Sequence, residues 1–166
     1  MIYGRAGDEV FQASAFLIGP DIGISNFHFL RTDLDDVKAV IQDEVYDLSD
    51  FLDYSPTDEL DYFIFRIKAY RGTPLTIAKR RPKVGEDVFA IGSPQGLSNS
   101  LTKGSISGYR SNSRIQFDAT IDHGSSGGPL FNFNGEVVGI TSAGADSGKE
   151  LNFAIDIQSI DLSSFQ

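Results

Sequence analysis

DHGSSGGPLFN, Asp122 to Asn132, packs three glycines, two adjacent serines and one of only two histidines into eleven residues. Three readings compete for it: a flexible turn, an anion-cradling loop, and a loop that makes a serine nucleophilic. Glycine is the usual residue wherever a chain needs positive φ or close backbone approach, so a plain turn is the simplest reading of the run taken alone. A phosphate cradle is disfavoured, because a P-loop places Lys after its last Gly and here Pro129 follows Gly128. Nucleophilic chemistry needs more: a base with a pKa near neutrality, a group that orients it, and donors for an oxyanion. Ser126 lies between Ser125 and the Gly127-Gly128 pair, where missing side chains allow a tight turn that exposes a hydroxyl and gathers backbone N–H groups.

Composition narrows the classes. The 166 residues suffice for one domain, or two small lobes sharing an interface, with a sizeable core. A hydrophobic content of 40%, including 13 Phe and 6 Tyr, argues against disorder. The net charge of −9 disfavours nucleic acid and anionic membranes as partners. Much of that acid lies between Asp33 and Asp61 and reads as a solvated face. No apolar run approaches the roughly 20 residues that cross a bilayer, and MIYGRAGDEV lacks the basic-then-apolar pattern of a signal peptide. Without cysteine there is no disulfide, thiol nucleophile or Cys-ligated metal, and His28 and His123 have no second His at ligand spacing. Neither a metal nor another cofactor is expected. Nothing in the sequence speaks for or against oligomerisation.

Short apolar runs bounded by Gly, Asp, Pro or Ser recur about every ten residues, and helical periodicity is scarce. An all-β protein is expected, with strands over Phe11–Ile18, Gly23–Ser25, Val37–Gln42, Tyr62–Ile67, Asp87–Ile91, Leu101–Tyr109, Ile115–Ala119, Pro129–Phe133, Val137–Ser142 and Asn152–Ile155. The basic, proline-containing segment Ala69 to Glu86 reads as a connection between two halves. The end, DIQSIDLSSFQ, suits one helical turn or more.

At this point the residues become recognisable. GSSGGPLFNFNGEVVGI, Gly124 to Ile140, resembles the nucleophile segment of chymotrypsin-fold serine proteases, closest to the HtrA/Deg type, where GNSGGPL precedes an NGEVVGI-like hairpin. Val84 to Gly108, VGEDVFAIGSPQGLSNSLTKGSISG, is similar to the family's segment leading into the second barrel, and LNFAI, Leu151 to Ile155, continues the likeness. ASAFLIGPDIGISNFHFL, Ala13 to Leu30, resembles the T-N-x-H segment that carries the base, with His28 at the histidine position. DELDYFIFRIK, Asp58 to Lys68, resembles the strand whose leading aspartate orients it, with Asp61 at that position.

The resemblance implies two antiparallel six-stranded β-barrels with the active site in the cleft between them. It implies one protease domain over residues 1–166, with an N-terminal barrel over about 1–72, a connection over about 73–84 and a C-terminal barrel over about 85–166. It implies a serine endopeptidase acting on protein or peptide substrates through an acyl-enzyme, with His28, Asp61 and Ser126 as the triad and the N–H groups of Gly124 and Ser126 as the oxyanion hole. Thr120, Ile140, Thr141 and Ser142 fall near the first specificity pocket, which then favours small or medium apolar side chains unless Asp122 admits a basic one. Ser125 is the rival nucleophile, set aside by motif position. His123 is the rival base, set aside because it shares the oxyanion turn. Phe27 and Phe29 flank the base where small or branched residues are usual, so they must be buried or shape the leaving-group side of the cleft. Only eleven residues follow LNFAI, so no PDZ domain is expected. The family suggests an extracytoplasmic home. The alternative to an enzyme is an inactive member of the fold that binds peptides or partner proteins in the same cleft.

Overall fold

A computed structural model describes residues 1–30, 33–92, 100–121, 125–142 and 152–166. Two strands explain the architecture best. β7, Tyr62–Ile67, and β4, Ile22–Ser25, are buried on both faces, so YFIF reads as a continuous apolar run instead of an alternation. One face of β7 (Phe63, Phe65, Ile67) points into the core of a first lobe. Its other face (Tyr62, Ile64), with Ile22 and Ile24 of β4, packs against Val137, Ile140, Ile155 and Ile157 of a second lobe. A strand serving two cores has no solvent face, and its polar pattern disappears accordingly.

The first lobe is a curled seven-stranded antiparallel sheet in the order β2-β1-β5-β6-β7-β4-β3. Its remaining strands are β1 Ile2–Ala6, β2 Glu9–Ala13, β3 Phe16–Gly19, β5 Asp35–Ile41 and β6 Glu44–Ser55. The second lobe is a closed barrel ordered β10-β13-β12-β11-β8-β9. It is built from β8 Asp87–Gly92, β9 Ser100–Arg110, β10 Arg114–Phe117, β11 Pro129–Phe131, β12 Val137–Ser142 and β13 Asn152–Asp156. The barrel is filled by side chains such as Val88, Ile106, Ile115, Phe117 and Leu130.

The all-β, chymotrypsin-like class expected from the sequence is the class observed. Within it, the first lobe carries seven strands and two sheet ends, β2 and β3, where six closed strands were expected. The sequence placed only four strands in this half, and three more are present. The N-terminal segment adds β1, and the run read as one strand from Phe11 to Ile18 breaks at Ser14 into β2 and β3. β6 is the other unexpected strand, twelve residues long inside the acidic stretch. Glu44, Asp47 and Asp50 face solvent from it, and a two-residue turn at Gln42 and Asp43 starts it, both at positive φ (51° and 67°).

The chain between the lobes is pinned rather than loose. Ala78 N–H donates to Val137 O and Val137 N–H to Thr76 O, and Arg81 pairs with the buried Asp156 carboxylate. Asp156 also caps a single 3₁₀ turn, Ile157–Ser159, whose Ile157 enters the interlobe core, as do Ile160 and Leu162 beyond it.

Candidate active site

β4 ends at Ser25, and a 3₁₀ turn over Phe27–Leu30 carries His28 to the edge of the first lobe. Asp61 arrives from the opposite strand end. A turn from Pro56 closes with Asp61 N–H donating to Pro56 O, and Asp61 takes φ +59°, a left-handed conformation that short polar side chains tolerate better than most. Both carboxylate oxygens then serve His28. Oδ1 accepts from the His28 backbone N–H and Oδ2 lies 2.8 Å from Nδ1. A carboxylate only accepts, so Nδ1 carries the hydrogen and Nε2 presents its lone pair. Asp61 is 4% exposed, so this pairing is shielded from solvent.

Ser126 is brought in from the second lobe, with Oγ 3.3 Å from His28 Nε2. Its turn is held at three points. Gly127 N–H donates to Thr141 O (2.7 Å), the Thr141 hydroxyl donates to Ser125 O (3.0 Å), and Ser14 N–H donates across the lobes to Ser126 O (2.9 Å). Gly127 has φ +93°, and a Cβ there would come closer than 3.0 Å to Ser14 O and Ser25 Oγ. At Gly128 a Cβ would sit 2.6 Å from Ile91 O. The glycine pair therefore lets the nucleophile turn enter the seam between lobes, which a loop with side chains could not do.

The sequence motif matched Asn26 without assigning it any role. Asn26 is fully buried, its Nδ2 donates to Asp61 O (3.3 Å), and its Oδ1 lies 2.7 Å from Ser126 Oγ. Asp61 O is an acceptor only, which fixes the amide so that Oδ1 faces the serine. Ser126 therefore donates to Asn26. With the hydroxyl proton directed at the amide, the contact to His28 is the longer of the two. The signal that would have found this residue is the Asn two positions before the base in SNFHF.

The remaining expected residues divide. Ser142, at the end of β12, lines an open cleft. Ile140 is fully buried in the interlobe core and Thr141 is 1% exposed with its hydroxyl on the nucleophile turn, so neither lines a cleft. Thr120 is exposed, and its carbonyl accepts from the Thr102 hydroxyl. Phe29 is buried, whereas Phe27 stacks on the exposed Tyr54 at 5.4 Å beside the base. Asp122, His123 and Gly124 lie outside the described residues.

A two-lobed β protein with a histidine, a buried aspartate and a serine meeting at the interlobe seam is a chymotrypsin-like hydrolase in fold and layout. Comparison with known sequences agrees. A trypsin-like peptidase domain matches residues 13–140, and the chain belongs to that family. It is 29% identical over 169 residues to the human serine protease HTRA4, covering 93% of this chain and 34% of the relative. It is 31% identical over 147 residues to the anti-sigma-I factor RsgI9 of Acetivibrio thermocellus, covering 86% and 20%. The chain thus spans about a third or less of these relatives. In fold it superposes on the active form of the Rv3671c protease of M. tuberculosis with TM-score 0.84, at 23% identity over 98% of this chain and 76% of that one.

Proposed function

We propose that the chain is a serine endopeptidase that cleaves exposed or unfolded protein segments through a Ser126 acyl-enzyme. The observation that carries this is the alignment of three groups from both lobes: the Asp61 carboxylate hydrogen-bonded to His28, and His28 Nε2 within 3.3 Å of Ser126 Oγ. In the reaction Ser126 turns its hydroxyl from Asn26 to His28 Nε2, which takes the proton as Oγ attacks the peptide carbonyl. Asp61 stabilises the imidazolium so formed. The N–H groups of Gly124 and Ser126 receive the oxyanion, and His28 then protonates the departing amine. Water repeats the sequence on the acyl-enzyme. We assign this work to one domain over residues 1–166, with lobes over about 1–72 and 85–166 joined by 73–84. Ser142 and Thr120 are assigned to the substrate side of the cleft.

A second reading has one specific observation in its favour: a relative bears the name of an anti-sigma factor, which suits a fold kept for binding. Incubation with an unfolded protein substrate separates the two. Wild type is expected to produce new peptide ends and Ser126→Ala none. A folded wild type that binds the substrate and leaves it intact supports the binding module instead.

A further inference from the structure

Arg110 and Arg114 stand directly opposite each other where β9 pairs with β10. Both line one cavity of about 510 Å³ together with Ser111, Asn112, Ser142 and Phe153. Like charges at opposed positions of an antiparallel pair repel, so the pairing is costly unless something anionic lies between them. Among the described residues neither guanidinium forms an ion pair. Their hydrogen-bond partners among the described residues are neutral: Arg114 donates to Asn112 O (3.2 Å) and Glu59 O (3.1 Å), and Arg110 to the side-chain carbonyl of Gln116. This happens in a chain of net charge −9, with carboxylates in surplus. Burial also pulls Arg114 down from the ordinary guanidinium range, opposed by the charge of Asp61, so its charge is held in a poorly solvated place.

The cavity's position gives this charge a use. Ser142, assigned above to the substrate side of the cleft, lines it, and Arg114 bridges the lobes to Glu59, two residues from Asp61. His28 delivers its proton to the departing amine beside Phe27 and Tyr54, so a pocket built on Ser142 receives the acyl half of the substrate. We propose that the cavity is a subsite for an acidic side chain on the acyl side of the cleaved bond, with Arg110 and Arg114 holding one carboxylate between them. Guanidinium forks suit a carboxylate better than any neutral group, because two charge-assisted N–H donors can meet its two oxygens. The proposal rests on the peptidase reading for its direction, although its binding component does not require cleavage.

The test measures binding to Ser126→Ala, which leaves the pocket intact and removes turnover. Fluorescein-labelled hexapeptide pools, amidated at the C-terminus so that a side chain is the only added carboxylate, carry Glu or Gln at each position in turn. At low salt, Glu is expected to bind about tenfold tighter than Gln at one position, with the ratio falling several-fold in 0.5 M salt. Arg110→Gln is expected to bring the ratio near one while leaving the Gln pool's affinity unchanged. Arg110→Glu is expected to shift preference toward Lys. Arg114 also props the Asp61 turn, so Arg110 is the cleaner probe and Arg114→Gln the second. Equal binding of Glu and Gln pools, including no binding of either, overturns the proposal, as does a Glu preference untouched by both arginine substitutions. An arginine-dependent Glu preference in a protein whose wild type cleaves nothing keeps the subsite and removes the peptidase.

Discussion

Gly127→Ala probes the seam where the nucleophile turn meets the first lobe. The new Cβ meets two cramped conditions at once. Its residue must hold φ +93°, and the methyl must fit against Ser14 O and Ser25 Oγ, which are themselves hydrogen-bonded at 2.7 Å. The backbone conformation alone costs about 1–2 kcal/mol for an L-residue. Forcing a methyl into a packed seam adds about 1–3 kcal/mol. A total near 3 kcal/mol lowers Tm by roughly 6–12 °C in a domain of this size. Gly7→Ala is the control, since Gly7 has φ +63° with nothing within 4 Å of its Cβ. It pays the conformational part alone, about 1–2 kcal/mol. Thermal melts followed by circular dichroism give both values. Serine-probe labelling per folded molecule is expected to fall at least about tenfold for Gly127→Ala, because a turn displaced from Ser14 N–H no longer places Oγ on His28. A Gly127→Ala protein that melts with the Gly7→Ala protein refutes the steric reasoning.

Three further outcomes follow from the same contacts. Asn26→Ala removes the competing acceptor for the Ser126 hydroxyl and leaves Asp61 O without the amide. Stability is expected to fall by about 2 kcal/mol in urea titration, while labelling per folded molecule rises about fivefold. A labelling rate that drops shows that Asn26 aids catalysis instead of holding the resting proton. Thr141→Val takes the hydroxyl from Ser125 O and Gly128 O, both of which keep a backbone donor, so a loss of about 1 kcal/mol is expected in the same titration. Burial, with the hydrogen bond to Asp53 next, pushes Tyr62 up to about 12, and burial pushes Tyr109 up to about 12. A raised pKa means that the folded state holds the proton longer than the unfolded state. The contribution is therefore complete below about pH 10 and lost as pH climbs toward 12. Urea midpoints are expected to decline over that window and to decline less in Tyr62→Phe.

The second lobe was nearly legible because its strands are punctuated by glycine and Pro129, and β12 begins and ends where the sequence placed it, as β7 does in the first lobe. β6 was hidden because its turn, Gln42-Asp43, uses positive φ without a glycine, and because its outward acids give it the composition of a loop. β1 was hidden by Gly4 and Arg5, which break an apolar pattern in a short strand. In the site, His28, Asp61 and Ser126 came from motif order, and the structure brings them together. Asn26 escaped notice because its two partners lie 35 and 100 residues away, a relation with no local pattern. Thr141 was expected beside the substrate, yet its hydroxyl faces the nucleophile turn, since residues alternate across a strand and Ser142 holds the cleft side.

The central claim is that Ser126 is the activated nucleophile, with His28 as its base. A fluorophosphonate, mapped by intact mass and then by peptide sequencing, tests it most directly. One adduct per chain is expected, on Ser126, absent in Ser126→Ala and slowed on the order of 10³-fold or more in His28→Ala. A folded wild type that takes no adduct, or takes it on Ser125, contradicts the claim.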